Sequence, residues 1–309
     1  MAETQDRPRA LLGSLVQQAR DLEPDFLSLE DFQRLGVQAF QVSLAPEYGE
    51  GLQFDPCFFR PDPDKLCEKY PIYIYHLEGD PRDIQFTTLN DYIQDALTEH
   101  SPEYAPIIAR MEYEEDFDVP PERDPYMHAQ DVEEAIESHI KAGRSGPHEW
   151  FSLVNFRKKD QERWNPNQRE DHPRVYEGFE DPKPWRVVNH YRYISRPLKP
   201  HSIMSCLAQI WPDGNQSLTT HELRAIVNMM LLRVNHKPFR RCHIHPILVL
   251  SYMGGHHGRI IQASYDGKGL ILQYSHLWSF ADIKTAPVEL FVRYRLSKPV
   301  GAIRTLSLE

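Results

Sequence analysis

The sequence predicts an α+β fold: an antiparallel C-terminal β-meander packed by a long amphipathic helix, preceded by an acidic α/β N-terminal portion. Three observations carry this. Residues 246–275 hold three apolar, β-favouring runs separated by the glycine-bearing stretches GGHHG and DGKG, the pattern of antiparallel strands joined by turns that demand positive φ. Residues 217–235, SLTTHELRAIVNMMLLRVN, set Leu223, Ile226, Val227, Met230 and Val234 on one helical face behind a capping box of Thr219 and Glu222. Charge divides the chain: residues 1–150 carry 12 Lys and Arg against 32 Asp and Glu, net −20, and residues 151–309 carry 23 against 13, net +10.

In chain order, a short amphipathic helix is expected near residues 9–20. GVQAFQVSL then places Phe40, Val42 and Leu44 on one face of a strand, and PIYIYHL at 71–77 reads as another. In TTLNDYIQDALTEH, Leu89, Tyr92, Ile93 and Leu97 recur at helical spacing behind a candidate N-cap, Thr88. Residues 111–125 combine an acidic run with prolines and read as an exposed loop. AQDVEEAIESHIKAG restarts a helix that ends near Gly143. Residues 157–184 are polar and turn-rich, a linker or lid between an acidic portion, 1–156, and a basic portion, 185–309. PWRVVNHYRYIS reads as a strand, followed by strands at 246–253, 259–265 and 269–275. VELFVRYRL reads as a fourth, alternating Val288, Leu290, Val292 and Tyr294 against Glu289, Phe291, Arg293 and Arg295.

At 309 residues, 40% hydrophobic and 26% charged, the chain can bury a sizeable core as one large domain or two smaller ones. The start, MAETQDRPRA, is polar, and no window approaches the roughly 18 uninterrupted apolar residues of a membrane span. Neither export nor membrane insertion is expected. Cys57, Cys67, Cys206 and Cys242 are scattered and read as reduced thiols, placing the protein in the cytoplasm or nucleus.

Histidine supplies the candidate chemistry: 15 in the chain, 11 of them after residue 145. His243 and His245 lie two apart near the turn containing Asp266, and two imidazoles with a carboxylate suit iron or zinc. With His190 they form the acid-base or metal set of a candidate enzyme pocket. His256, His257 and His276 should meet at the opposite sheet edge. The bland reading is preferred: turn and strand-end histidines, with no bound metal or cofactor. Arg233, Lys237, Arg240 and Arg241 surround Phe239 as a candidate anion site. They also complement a helix C-terminus, and acidic side chains of the N-terminal portion are expected to face them.

Known catalytic templates do not fit. HELRA at 221–225 starts like a metalloprotease helix, but Ala225 occupies the position of the second histidine. GxGxxG, Walker A and GxSxG stretches are absent from the sequence. The leading expectation is a non-catalytic binding or regulatory protein for an unknown protein or small molecule. The alternatives are an enzyme acting on a small metabolite and a nucleic-acid-binding protein using the basic half.

VVNHYRYISRP, LAQIWPDG, THELRAIVNMM, HPILVLSYMGGHHGRIIQASYDG and RYRLSKPVG, spread over about the last 120 residues, resemble a group of uncharacterised proteins of filamentous ascomycete fungi. The resemblance implies a fungal intracellular protein and carries no activity, cofactor or catalytic residue with it.

Overall fold

The structure, a computed structural model, describes residues 3–44, 54–62, 65–72, 125–144, 151–157, 160–163, 185–194, 196–212, 214–240, 242–282 and 285–301. The strand expected at 71–77, the helix behind Thr88 and the loop at 111–125 lie wholly or mostly outside these residues, Pro125 opening a helix. Helices are α1 (Glu3–Arg20), α2 (Leu29–Leu35), α3 (Leu66–Lys69), α4 (Pro125–Lys141), α5 (Thr220–Asn235) and α6 (Val288–Arg295). Strands are β1 (Val37–Gln41), β2 (Phe59–Arg60), β3 (Gln161–Arg163), β4 (Trp185–Tyr193), β5 (Ser202–Ala208), β6 (His245–Met253), β7 (His257–Tyr265), β8 (Leu270–Tyr274), β9 (Trp278–Ser279) and β10 (Lys298–Pro299).

The expected meander is present: β6, β7 and β8 are consecutive and antiparallel, with Met253 opposite His257 and Tyr265 opposite Leu270. It is the middle of a larger, mixed sheet of order β1-β8-β7-β6-β5-β4-β3. Two pairings are parallel, β1 with β8 and β5 with β6. A parallel pair needs a crossover, and α5 supplies it between β5 and β6. β5, which lies unannounced in the sequence, and β6 are buried along their whole length. Such strands are covered on both faces and lose the alternation that would mark them.

One face packs against α5, with α1 along it: Met204, Cys206, Ile247, Val249 and Ile261 join Ile226 and Met230 of α5 and Leu12, Leu15 and Ala19 of α1 in one core cluster. The other face packs against α4 and α6, where Ile203, Leu207, Leu248 and Leu250 join Val132 and Ile136 of α4 and Phe291 and Val292 of α6.

Three expectations need correction. VELFVRYRL is helical over Val288–Arg295, not a strand. Val288, Phe291, Val292 and Arg295 also satisfy the helical spacing, and nearly every residue of α6 is buried, so the alternation marked no wet face. Phe40 is half-exposed on β1, while Val37 and Leu44 are buried. Within 157–184, expected as linker or lid, Gln161–Arg163 form an edge strand against β4.

One contact between the two portions falls on a cation outside the predicted cluster, whose Arg241 lies outside the described residues. Arg224, a different cation, donates to the carbonyls of Ala19 (2.9 Å), Arg20 (2.5 Å) and Leu22 (3.1 Å). The first two carbonyls end α1 and the third lies just past it, where a cation meets both unsatisfied acceptors and the negative pole of the helix. The halves do meet as charges under α4, where Arg295 reaches Glu137.

The capping box closes as the sequence implies. Glu222 N donates to Thr219 Oγ1 (3.1 Å) and Thr219 N donates to Glu222 Oε2 (2.8 Å). The other Glu222 oxygen lies 3.1 Å from Arg259 Nε, and neither side chain touches solvent. Removing one partner of such a pair strands the other charge in the core. Arg259→Met should therefore cost about 3–5 kcal/mol in urea unfolding; a loss below about 1 kcal/mol, the scale of a surface pair, would show that the pair does not carry this face.

Candidate functional site

The residues singled out in the sequence scatter on folding. His243 is exposed, and Asp266, also exposed, accepts from the backbone N–H groups of Lys268 (2.9 Å) and Gly269 (3.0 Å), closing its own turn. His245 is buried and its Nε2 donates to the Phe239 carbonyl (3.1 Å). His190 lies buried on the α5 face, two strands away. Among the described residues, no three His, Cys, Asp or Glu side chains converge so as to hold a metal ion.

What His190 and His245 share is a neighbour. Arg233, buried itself, donates to the carbonyls of Pro200 (3.0 Å) and His201 (3.3 Å) and lies over the Phe239 ring at 4.5 Å. Burial, reinforced by Arg233, pushes the pKa of His190 well down, that of His201 to about 3 and that of His245 to about 4. All three imidazoles are thus held neutral, His190 and His245 near the Arg233 guanidinium and His201 among the Phe58, Phe59 and Tyr193 rings with its Nε2 donating to the Val300 carbonyl (3.0 Å). Of the other anion-site candidates, Lys237 and Arg240 are exposed, Arg240 Nε donating to the Asn235 carbonyl (3.2 Å), and Arg241 lies outside the described residues.

Two other groupings emerge, both on α4. The first lies beneath it. Glu133 and Glu137, one turn apart and both buried, face β4, β5, β6 and α6. Asn189 Nδ2 donates to Glu133 Oε1. Arg295 Nε donates to Glu137 Oε1 (2.9 Å), and the Tyr191 hydroxyl donates to Glu137 Oε2 (3.1 Å). Burial and then the neighbouring Glu137 push Glu133 up to about 7. Burial acts on Glu137 too, but Arg295, Lys141 and Tyr191 outweigh it and hold its pKa below the ordinary value. Perturbed carboxylates of this kind mark functional sites and structural networks alike.

The second grouping is a rim where the start of α4 meets the β6–β7 turn. A Cβ on Gly254 would fall 2.6 Å from Pro125 Cβ and 2.9 Å from the Ile210 carbonyl, so this close approach requires glycine. The turn continues through Gly255 (φ 66°) and His256 (φ 51°). The left-handed region costs a side-chain-bearing residue about 1–2 kcal/mol, and here it aims the His256 ring at α4. Its centroid is 4.4 Å from that of His128, and its Nε2 is 3.8 Å from Asp131 Oδ2. Trp211, 39% exposed, meets His128 edge-on at 5.1 Å. Met127, the residue before His128 on α4, is 47% exposed. His257 and His276 sit on the expected edge, His276 against Trp278 at 4.1 Å.

Neither grouping is readable in the sequence, because each joins segments far apart in the chain. The only local signal is that Glu133 and Glu137 each follow a core residue, Val132 and Ile136, at the border of the apolar stripe of α4.

A Cys–His pair at the far end of α4 is chemically quiet. Cys67 Sγ lies 3.9 Å from His139 Nδ1, but burial raises the thiol to about 12 and, with Arg144, lowers His139 to about 3.

The buried histidines set a pH response. Unfolded, each takes a proton near its ordinary value of 6.5; folded, His139, His201 and His245 resist it until about 3 to 4. The unfolded state therefore binds more protons below 6.5, and stability should fall as pH drops from about 6.5 toward 4. Urea midpoints at pH 7, 6 and 5 should decline in that order; a flat series would contradict the assignment of neutral, buried imidazoles.

Compared with known proteins, the chain matches no family model, no curated protein and no solved structure, so its functional reading rests on the geometry above.

Proposed function

We propose that the protein is a non-catalytic binding protein of the cytoplasm or nucleus, and that it receives a protein partner at the rim of Trp211, Met127, His128 and His256. The observation that carries this reading is Trp211: a large aromatic left partly open against the His128 ring of a helix start, where the adjacent Met127 is exposed and His128 itself packs on the His256 ring of a hairpin turn. Aromatic side chains and Met are enriched at protein interfaces, and Trp dominates their binding energy when it stands on a rigid support. The site residues expected from the sequence favour the same reading, because Arg233 and His245 are spent on backbone carbonyls and Asp266 on backbone N–H groups. The compartment is supported by four cysteines, none in a disulfide.

A nucleic-acid reading is favoured by one observation, the exposure of Lys237 and Arg240 beside His243. It lacks a stacking or groove-entering element among the described residues that would turn charge into recognition.

The test is a photo-crosslinking amino acid placed at position 211, with Leu198 and Leu29, exposed elsewhere, as control positions. In native cell extract, position 211 should give a discrete protein adduct that Met127→Glu weakens at least several-fold, and the controls should not. Equal labelling at all three positions would defeat the rim assignment. Tight, salt-sensitive RNA or DNA binding lost in the Lys237→Glu, Arg240→Glu double variant would install the nucleic-acid reading instead. A stoichiometric small molecule carried through native mass spectrometry would point to an enzyme.

A further inference from the structure

The carboxylates beneath α4 are compensated unequally. Glu137 accepts from Arg295 (2.9 Å) and Tyr191 (3.1 Å), and its Oε2 lies 3.5 Å from Lys141 Nζ. Arg295 is further fixed over the Tyr191 ring and by Gln161 of β3, to which its Nη1 donates (3.3 Å). Glu133 faces neutral groups: the Asn189 amide of β4 and the Ser205 hydroxyl of β5. From β6 comes Tyr252, fully buried, whose hydroxyl has no hydrogen-bond partner among the described residues. On α4 itself, Glu134 is turned to Gln130 (2.5 Å). Both cations of the cluster contact Glu137, and Lys141 acts on Glu133 only as the weakest influence there, while an ionised Glu133 would add a second buried negative charge one helical turn away. Such a charge is costly unless paired, and the inexpensive alternative is to keep the proton.

We propose that Glu133 is a proton-operated joint between α4 and the sheet, tight when its carboxyl is protonated and loosened when it ionises beside Glu137. A protonated carboxyl can donate as well as accept, matching a neighbourhood of one amide and two hydroxyls. Deprotonation replaces that donor with repulsion on a helix whose first turns carry His128 and Asp131. The inference goes beyond the binding reading and stands apart from it, since no partner enters its test.

The sign follows from burial. Glu133 titrates near 7 in the fold and near 4.5 once exposed, so α4 opens with loss of a proton between those values. Its contribution is complete below about pH 4.5 and disappears as pH rises through 7. His139, also on α4, acts in the opposite sense, and comparing wild type with Glu133→Gln cancels it. The experiment is amide hydrogen exchange on the full chain from pH 5 to 8. The ratio of α4 protection in Glu133→Gln to that in wild type should rise about tenfold per pH unit between 5 and 7, then level. The same ratio for α5 should stay constant. A constant α4 ratio, or an equal rise in α5, would overturn the joint. Should the variant fail to fold, carboxyl carbon NMR of wild-type Glu133 decides: its titration should share a midpoint with the α4 amide shifts, and a carboxylate ionised throughout pH 5 to 8 would refute the proposal.

Discussion

Burial of both faces of β5, β6 and β7 is the constraint on which the rest of the molecule depends. A sheet covered on one side only could turn every polar side chain of these strands to water. Here Ser205, Tyr252, Arg259 and Gln262 have no wet side, and their partners must come from the helices or from chain laid over the sheet. Gln262 shows the second solution: it accepts from Phe58 N (2.7 Å) and donates to the Pro56 carbonyl (2.8 Å), pinning an irregular segment that would otherwise leave backbone groups unpaired. Arg259 shows the first, drawing Glu222 from the opening turn of α5. A single residue thereby caps its helix with one oxygen and neutralises the core with the other.

Two kinds of buried group answer protons in opposite senses. His190 and His245 on the α5 face, and His201 against Phe58, Phe59 and Tyr193 on the opposite one, are neutral because burial opposes their charging, and acid works against the fold at each. On the α4 side, burial opposes the charging of Glu133, and base works against the fold. Both effects share one cause, desolvation of the charged form, and differ only because one group is charged when protonated and the other when deprotonated. Stability is then best where neither penalty is fully developed, close to neutrality, and the price on each side is met by packing rather than by ion pairs.

How much of this was legible in the sequence depends on the range of the interaction that fixes each feature. The capping box of Thr219 and Glu222 and the turns of the meander are local, set within a few residues, and the structure carries them as the sequence implies. Failures occur where tertiary environment overrides pattern. The stretch 288–295 alternates like a strand and also repeats like a helix; burial nearly all round removes the wet face that would have decided between them. β5 is short and uniformly buried, without a period to betray it. Among candidate site residues, Arg233, His190 and His245 do share a neighbourhood, but as packing around a guanidinium, whereas His243 and Asp266 remain at the surface. The carboxylate cluster and the tryptophan rim assemble from α4 and from partners 54 or more residues later, a separation across which spacing carries no information.

His256 connects the chemistry of the rim to its mechanics. Glycine would hold the left-handed turn without strain, as Gly255 does one residue earlier. A ring at that position is therefore maintained against a local cost, and it is spent on contact with His128 beside Asp131. The hairpin that carries it is anchored by the full β6–β7 ladder, so the turn is stiff while the opposing wall belongs to α4. Any change in how α4 seats on the sheet must then appear at the rim as a displacement of His128 and Asp131 against a fixed His256. Trp211 stands between the two, meeting His128 of α4 edge-on while the carbonyl of the preceding Ile210 accepts from Gly254 N of the hairpin (2.9 Å).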